Sequence, residues 1–282
     1  MLDIFNIPGQ QDNIKIFYAA GTADWQTWQK PRNCKFIWMM CLGGGSAGGG
    51  GGQPTGGIQA GATGAITRVL FPANVLPDTL FVQPGPGGSG GIPPAGAGGN
   101  GNRSFVSIAP SSATAMNVVC VSGTAAAVGA SSGVNGVGET AASTAVAGLL
   151  SLGNFTSIAG ISSLGAVTVT PFGTSPLCAG GNGGTVNVSG GSGIASVDLG
   201  TFQTPALAGG AQNSGVEGAN GIFSWKPFYS LGGAGGGSNN AGVGGKGGNG
   251  AYGSGGGGGG GGSTAGGRGG NGGDGLVIIA TF

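Results

Sequence analysis

The sequence predicts an all-β protein, with a β-sandwich or jelly-roll-like body and glycine-rich loops packed as polyglycine II-like segments. Three observations support this fold class. Short apolar or alternating segments recur between turn signals, with a single helix candidate. Glycine supplies 73 of the 282 residues, which disfavours both long helices and ordinary strands. Hydrophobic residues make up 39% and charged residues only 6%, so we expect the chain to collapse rather than stay disordered.

The predicted strands are short and spread along the chain. Residues 34–42, CKFIWMMCL, are almost continuously apolar, which predicts a strand buried on both faces. Residues 166–170 and 185–189 alternate and predict half-exposed strands. Residues 221–231 are aromatic but contain Pro227, which predicts an edge strand or an ordered loop. The other predicted strands are residues 14–20, 66–71, 79–83, 103–109, 115–122 and 276–282.

The organisation of the whole chain follows from these elements. The first and last predicted strands, 14–20 and 276–282, are both very apolar, so we expect them to lie together in the core. The glycine clusters would then extend from one end of the body. Residues 141–152 are the helix candidate, with helix and coil equally open. We predict a single glycine-rich β domain over residues 1–282, in which residues 123–230 form an insertion or elaboration.

Residues 231–275 are mostly glycine and lead directly into the last strand. Such a stretch is either a disordered linker or a set of packed polyglycine II-like segments. Polyproline-II geometry has three residues per turn and leaves its backbone groups free to bond outwards. Neighbouring glycine segments can satisfy those groups because no Cβ separates them. The triplets that begin at Lys246, Arg268 and Asn271 fit this period, and a linker would not need a hydrophobic strand at its end. We therefore favour the ordered segments.

Composition also bears on partners and location. The net charge is +1 and the nine Lys and Arg residues are scattered, which argues against nucleic-acid binding. No apolar run has the length of a membrane span, so we expect no membrane insertion. A chain with so little charge has weak colloidal protection, which suits a subunit of a larger assembly.

The four cysteines have no metal-binding spacing. We expect Cys34, Cys41, Cys120 and Cys178 to be free thiols in a protein assembled inside the cell, because residues 1–8 lack the features of a secretory signal. No cofactor is expected either. Residues 96–101 fit a dinucleotide-binding glycine pattern, but such matches arise by chance at this glycine content and no βαβ context accompanies them.

The sequence offers few candidates for catalytic residues. The chain has no histidine, which removes the commonest general base. Its eight acidic residues are isolated in sequence, so we predict that the protein is not an enzyme. A glycosidase-like pair of carboxylates that meet only in space stays open as an alternative.

Aromatic and loop residues are the candidates for contacting a partner. Aromatic side chains carry much of the energy of interfaces and stack on sugar rings, although the same residues could belong to the core. Polar residues among the glycines could form a variable binding tip on a rigid support. The candidate contacts are Trp25, Trp28, Phe223, Trp225, Phe228, Tyr229, Asn239, Asn240, Lys246 and Tyr252.

Several of these pieces occur in an order typical of a known family. They are TADWQTWQKP at residues 22–31, WMMCLGGG at 38–45, LFVQPG at 80–85, the glycine step before Ser104-Phe105, and GGNGGDGLVII at 269–279. This succession resembles the glycine-rich domain proteins of bacteriophage virions, many of which are tail-fibre or receptor-binding subunits.

The resemblance implies a non-enzymatic structural protein located in the virion and assembled in the host cytoplasm. It further implies sandwiched polyglycine II helices and a homo-oligomer, with a trimer favoured. Partners would be other virion proteins and a host-surface receptor or glycan. Our first hypothesis is a tail-fibre or adhesin subunit. A capsid decoration protein is the alternative, since the chain has no heptads or shaft repeats, and a surface polysaccharide depolymerase is the third.

Overall fold

The computed structural model describes residues 13–19, 24–52, 59–111, 117–122, 154–158 (backbone pairing), 176–185, 189–190, 207–226 and 228–282. In these residues the protein is all-β and contains no α-helix. The strands are β1 (Ile14–Tyr18), β2 (Gln26–Gln29), β3 (Phe36–Leu42), β4 (Ile66–Pro72), β5 (Thr79–Gln83), β6 (Phe105–Ser107), β7 (Val118–Val121), β8 (Asn154–Ile158), β9 (Phe223–Trp225), β10 (Phe228–Ser230) and β11 (Leu276–Thr281).

The strands form two main sheets and a hairpin, all with antiparallel pairing. Sheet A has the order β1-β11-β3-β4-β8, and sheet B has the order β2-β5-β6-β7. The hairpin pairs β9 with β10. In sheet A, Ile278 of β11 lies between Ile16 of β1 and Met40 of β3, so the first and last strands are neighbours as predicted.

The main core lies between sheets A and B. Alternate residues of β3 point into it, among them Ile37 and Met39, which are fully buried. Leu80 and Val82 of β5 face them from sheet B. This arrangement is a β-sandwich, which confirms the predicted fold class.

The second face of sheet A is covered at the end of the strands that lies next to the glycine segments. Met40 and Leu42 of β3 pack there with Ile278, beneath aromatic residues of the hairpin such as Phe223. Both faces of the sheet are covered along residues 39–42, so this part of β3 needs an apolar residue at every position. The prediction of a doubly buried strand at residues 34–42 is confirmed for this part, whereas Phe36 at the start of β3 is exposed.

The glycine-rich segments continue from the ends of the strands of sheet A and pack into what we call the glycine bundle. Segment 43–52, which follows β3, has a hydrogen-bond period of three. Its N–H groups donate in turn to three neighbours: positions 43, 46 and 49 to segment 59–65, positions 44, 47 and 50 to segment 96–102, and positions 45, 48 and 51 to segment 267–273. Three residues per turn with bonds to other segments is the pattern expected of polyglycine II. The prediction that the glycine-rich stretches form ordered, packed segments and not a disordered linker is confirmed.

The run of eight glycines at residues 255–262 lies at the centre of the bundle. From Gly256 to Gly261 the N–H groups donate in turn to segments 43–52, 245–248 and 181–184, while carbonyls of the run accept from segments 233–239 and 267–273 and from Gly61. A segment enclosed on all sides has no direction left for a side chain. A Cβ at Gly257, for example, would overlap the carbonyl group of Ala234.

Some predicted elements differ from the structure. β2 and β8 were not predicted as strands, and residues 221–231 form the hairpin. The candidate helix 141–152 and the predicted strand 166–170 lie outside the described residues, as does most of 185–189. Within residues 123–230, β8 pairs with β4 in sheet A, and segment 176–185 makes hydrogen bonds with segments of the bundle.

Candidate functional site

Side chains leave the bundle at every third residue. In segment 243–252 the residues other than glycine at this period are Val243, Lys246, Asn249 and Tyr252, and in segment 265–275 they are Ala265, Arg268, Asn271 and Asp274. The two segments are adjacent, because Gly247 and Gly250 donate to the carbonyls of Arg268 and Asn271. The outward residues therefore form parallel columns on one face of the bundle.

Asparagine side chains link these columns into what we call the asparagine ladder. The Oδ1 atom of Asn220 accepts from the N–H of Asn249 at 2.8 Å, and Oδ1 of Asn249 accepts from the N–H of Asn271 at 3.0 Å. Oδ1 of Asn271 then accepts from the N–H of Gly90 at 2.8 Å. At an outward position the backbone N–H has no further segment to bond, so the neighbouring side chain takes that role. Each backbone N–H of the ladder needs an oxygen as its acceptor, which fixes the orientation of each asparagine amide. The Nδ2 groups therefore point away from these N–H groups and are available as donors.

A shallow groove of about 450 Å³ lies where this face meets the sheets. Glycine backbone from segments 86–89, 249–251 and 271–273 contributes to its lining. Its side chains include Asn249 and Asn271 of the ladder. The glycines in the lining carry no Cβ atom, which would let a ligand approach the main chain closely at these positions.

Aromatic residues form another part of the groove. Tyr252 lines it together with Phe223, whose ring centroid is 5.1 Å away in an edge-to-face arrangement. On another side, the ring of Tyr18 lies 5.6 Å from that of Tyr252. Burial, followed by Tyr18 and the Asp274 carboxylate, raises the pKa of Tyr252, so its phenol is neutral at physiological pH and can donate a hydrogen bond.

Asp274 supplies the carboxylate of the groove. Its Oδ1 atom accepts from the N–H of Gly87 at 2.8 Å, and its backbone carbonyl accepts from Gly253. The other acids with described positions, Asp24, Asp78 and Glu217, do not line the groove. Among the acids that the structure describes, Asp274 alone lines the groove, so no second described carboxylate is paired with it there.

The predicted aromatic contacts are distributed between the surface and the interior. Trp28 lies in the sandwich core with 7% of its surface exposed, which leaves little of it for a partner. Phe223, Trp225 and Phe228 are partly buried over the second face of sheet A. Tyr229 packs against the small cluster formed by Cys178, Leu207, Leu231 and Ala234, and Trp25 is half-buried. The structure thus brings Phe223 and Tyr252 together and separates Trp28 from them.

The predicted loop contacts lie at the outer part of the bundle. Asn239 closes a turn, since its Oδ1 accepts from Ala241 and its Nδ2 donates to the carbonyl of Val243. Asn240 is exposed beside it, and Lys246 is half-buried in its column. Asn249, Asn271 and Asp274 were not among the predicted contacts, although Asn271 begins one of the triplets that fit the three-residue period of the glycine segments.

A second surface feature, the apolar patch, is formed by Phe36, Trp38, Leu70 and Phe282. Phe36 is 47% exposed and Leu70 38%. The prediction of a strand buried on both faces at residues 34–42 implied that Phe36 and Trp38 lie in the core, whereas they lie at the exposed end of β3, away from the glycine segment that follows the strand.

The cysteines with described positions are free thiols, as expected. Cys41 and Cys120 face each other in the sandwich core, and burial raises the pKa of the Cys41 thiol well above its ordinary value. No group of three potential metal ligands occurs in the described part of the chain. The same residues include no helix of membrane-spanning length and apolarity.

The sandwich and its bundle define a glycine-rich β protein. The model of the glycine-rich domain family matches residues 19–281. Since the match covers most of the chain, the protein belongs to this family. No curated protein matches the sequence significantly.

Proposed function

We propose that the chain is a non-enzymatic structural protein of a bacteriophage virion that serves as a tail-fibre or adhesin subunit. The observation that carries the proposal is the hydrogen-bonded glycine bundle. Its inner segments satisfy one another's main-chain groups, so outward residues that are not part of the asparagine ladder, such as Lys246 and Arg268, can be exchanged without altering the packing inside. A rigid support with exchangeable surface residues suits a protein that must follow changes in a host receptor. The resemblance to glycine-rich virion proteins supports the same conclusion.

In this proposal the two surfaces have different partners. The outward face of the bundle contacts the host surface. The apolar patch contacts other virion proteins or further copies of the chain, with a trimer favoured, because exposed apolar residues that adjoin one another are typical of interaction sites.

The alternative is a capsid decoration protein that clamps neighbouring subunits of the head. The apolar patch also favours this role, because a clamp needs such a contact surface. The sequence lacks the repeats of a fibre shaft, which is compatible with a decoration protein or with a compact tip.

Immunogold electron microscopy with antibodies against the purified chain tests the proposal on particles of the phage that encodes it. We expect label at the tail fibres and reduced adsorption when host cells are pre-incubated with the protein. Label spread over the head, without an effect on adsorption, would favour the decoration protein. Particles that carry no label would overturn both proposals.

A further inference from the structure

We propose that the groove beside Tyr252 is a binding site for a neutral saccharide. The inference deepens the proposed function by naming the ligand class of the adhesin face, but it depends on the chemistry of the groove rather than on the position of the protein in a virion.

The groove presents polar groups that are already fixed in direction. The side-chain oxygens of Asn249 and Asn271 are held by neighbouring N–H groups, so their Nδ2 atoms are oriented donors. The carboxylate of Asp274 is held through Oδ1, which leaves Oδ2 as an acceptor. Groups that are ordered before binding lose little conformational entropy when a ligand arrives.

These groups match a sugar in both chemistry and arrangement. Each hydroxyl of a sugar donates and accepts, and therefore pairs with an amide donor and a carboxylate acceptor placed close together. The C–H face of the sugar ring is complementary to an aromatic side chain, which Tyr252 and Phe223 supply. Specific sites combine such aromatic surface with a few convergent polar groups.

Other ligand classes fit less well. An acidic ligand would be repelled by the carboxylate of Asp274. Lys246 and Arg268 could not offset this repulsion, because they lie outside the groove lining, one turn further along their columns. A divalent cation would find a single carboxylate among the lining residues. A purely apolar ligand would leave the amides of the ladder without partners.

The ladder offers a matched pair of variants. In Asn249→Asp an oxygen still accepts from Asn271, but an amide donor in the groove becomes a carboxylate oxygen. Asn220→Asp makes the same exchange at a ladder position outside the groove lining. The purified full chain and both variants are applied to an array of neutral and sialylated oligosaccharides in a buffer that contains EDTA, and melting temperatures are measured in parallel.

We expect the unmodified chain to bind neutral oligosaccharides. We also expect Asn249→Asp to weaken this binding by about tenfold or more at an unchanged melting temperature, and Asn220→Asp to leave it within about twofold. Tyr252→Phe should retain more binding than Tyr252→Ala, which removes the ring. Absence of binding to neutral sugars, preference for sialylated ones, or equal effects of the two Asp variants would overturn the inference.

The outcomes separate this inference from the proposed function. If antibodies label the fibres and the protein blocks adsorption while no sugar binds, the adhesin proposal is supported and the proposal of a saccharide site is wrong. If neutral sugars bind as described but particles carry no label, the saccharide site is supported and the proposed role in the virion is wrong.

Discussion

Gly257 lies in the middle of the enclosed glycine run, where the atoms nearest to an added Cβ belong to the backbone of Ala234 and Gly233. Backbone in a hydrogen-bonded bundle cannot rotate away as the end of a side chain can. We expect Gly257→Ala to lower the free energy of unfolding by roughly 1–3 kcal/mol, the usual cost of overpacking. Urea denaturation followed by intrinsic fluorescence measures the change.

Gly242→Ala is the matched control for this substitution. The nearest atom to its added Cβ is the side-chain nitrogen of Asn239, at 3.2 Å, and that turn is at the surface. We expect a change within about 0.5 kcal/mol, which is typical of a surface position. Similar costs at the two glycines would show that the bundle does not enclose Gly257.

The side chain of Tyr252 leads to a prediction about how the stability of the protein depends on pH. Because its pKa is raised in the folded protein, the unfolded chain loses this proton first. The unfolded state then binds fewer protons above the ordinary tyrosine pKa of about 10, so stability falls as pH rises through that value. We expect Tyr252→Phe to reduce this fall, measured by urea denaturation at pH 9 to 11, with absorbance of tyrosinate recorded alongside. An unchanged pH dependence in the variant would contradict the assignment.

Among the elements, the connection between β4 and β5 carries the chain from sheet A to sheet B, and Lys30 holds it. The Nζ atom donates to the carbonyls of Ala73 at 3.1 Å and Leu76 at 2.7 Å, and it pairs with Asp78 at 2.9 Å. The Lys30 side chain is 17% exposed and that of Asp78 is 86% exposed. The carbonyl bonds are therefore more shielded from water than the ion pair.

We expect Lys30→Met to destabilise the protein by roughly 1.5–3 kcal/mol, the usual cost of losing hydrogen bonds to a charged group. For Asp78→Asn we expect less than about 1 kcal/mol, because exposed ion pairs contribute little. Both values come from urea denaturation. If Asp78→Asn cost as much as Lys30→Met, the ion pair would be the main interaction instead.

The strands differ in how far their sequences reveal them. β5 was predicted at its observed bounds because the apolar residues Leu80, Phe81 and Val82 follow the turn-forming pair Pro77-Asp78. β2 was missed because Gln26–Gln29 contains a single large apolar residue, Trp28. That strand exists because β5 pairs with it and Trp28 fills the core, which are effects of tertiary structure.

The candidate site was predictable only in part. The three-residue rhythm marks outward positions such as Arg268 and Asn271, since it follows from the geometry of one segment. The groove needs segments that are far apart in sequence, and their order in the bundle depends on hydrogen bonds between backbones that are almost identical. Sequence alone therefore indicated the kind of surface but not which columns adjoin.

At the scale of the whole molecule, the strands of the sandwich continue directly into the segments of the glycine bundle. β3 leads into segment 43–52, segment 59–65 leads into β4, and segment 265–275 leads into β11. Three neighbouring strands of sheet A thus continue as bonded glycine segments. Loss of the bundle would release the ends of the strands that form both hydrophobic cores, so we expect the two parts to unfold together.

Hydrogen exchange tests this coupling directly. We expect the amides from Gly256 to Gly261 to exchange as slowly as those of β3 and β11, because opening them requires several segments to separate at once. A glycine-rich stretch in a linker would exchange as fast as a free peptide. Amides at the Asn239–Val243 turn serve as an internal comparison and should exchange faster, since that turn lies at the surface. Rapid exchange across the glycine run, with β3 still protected, would show that the sandwich folds without the bundle and that its outward columns have no rigid support.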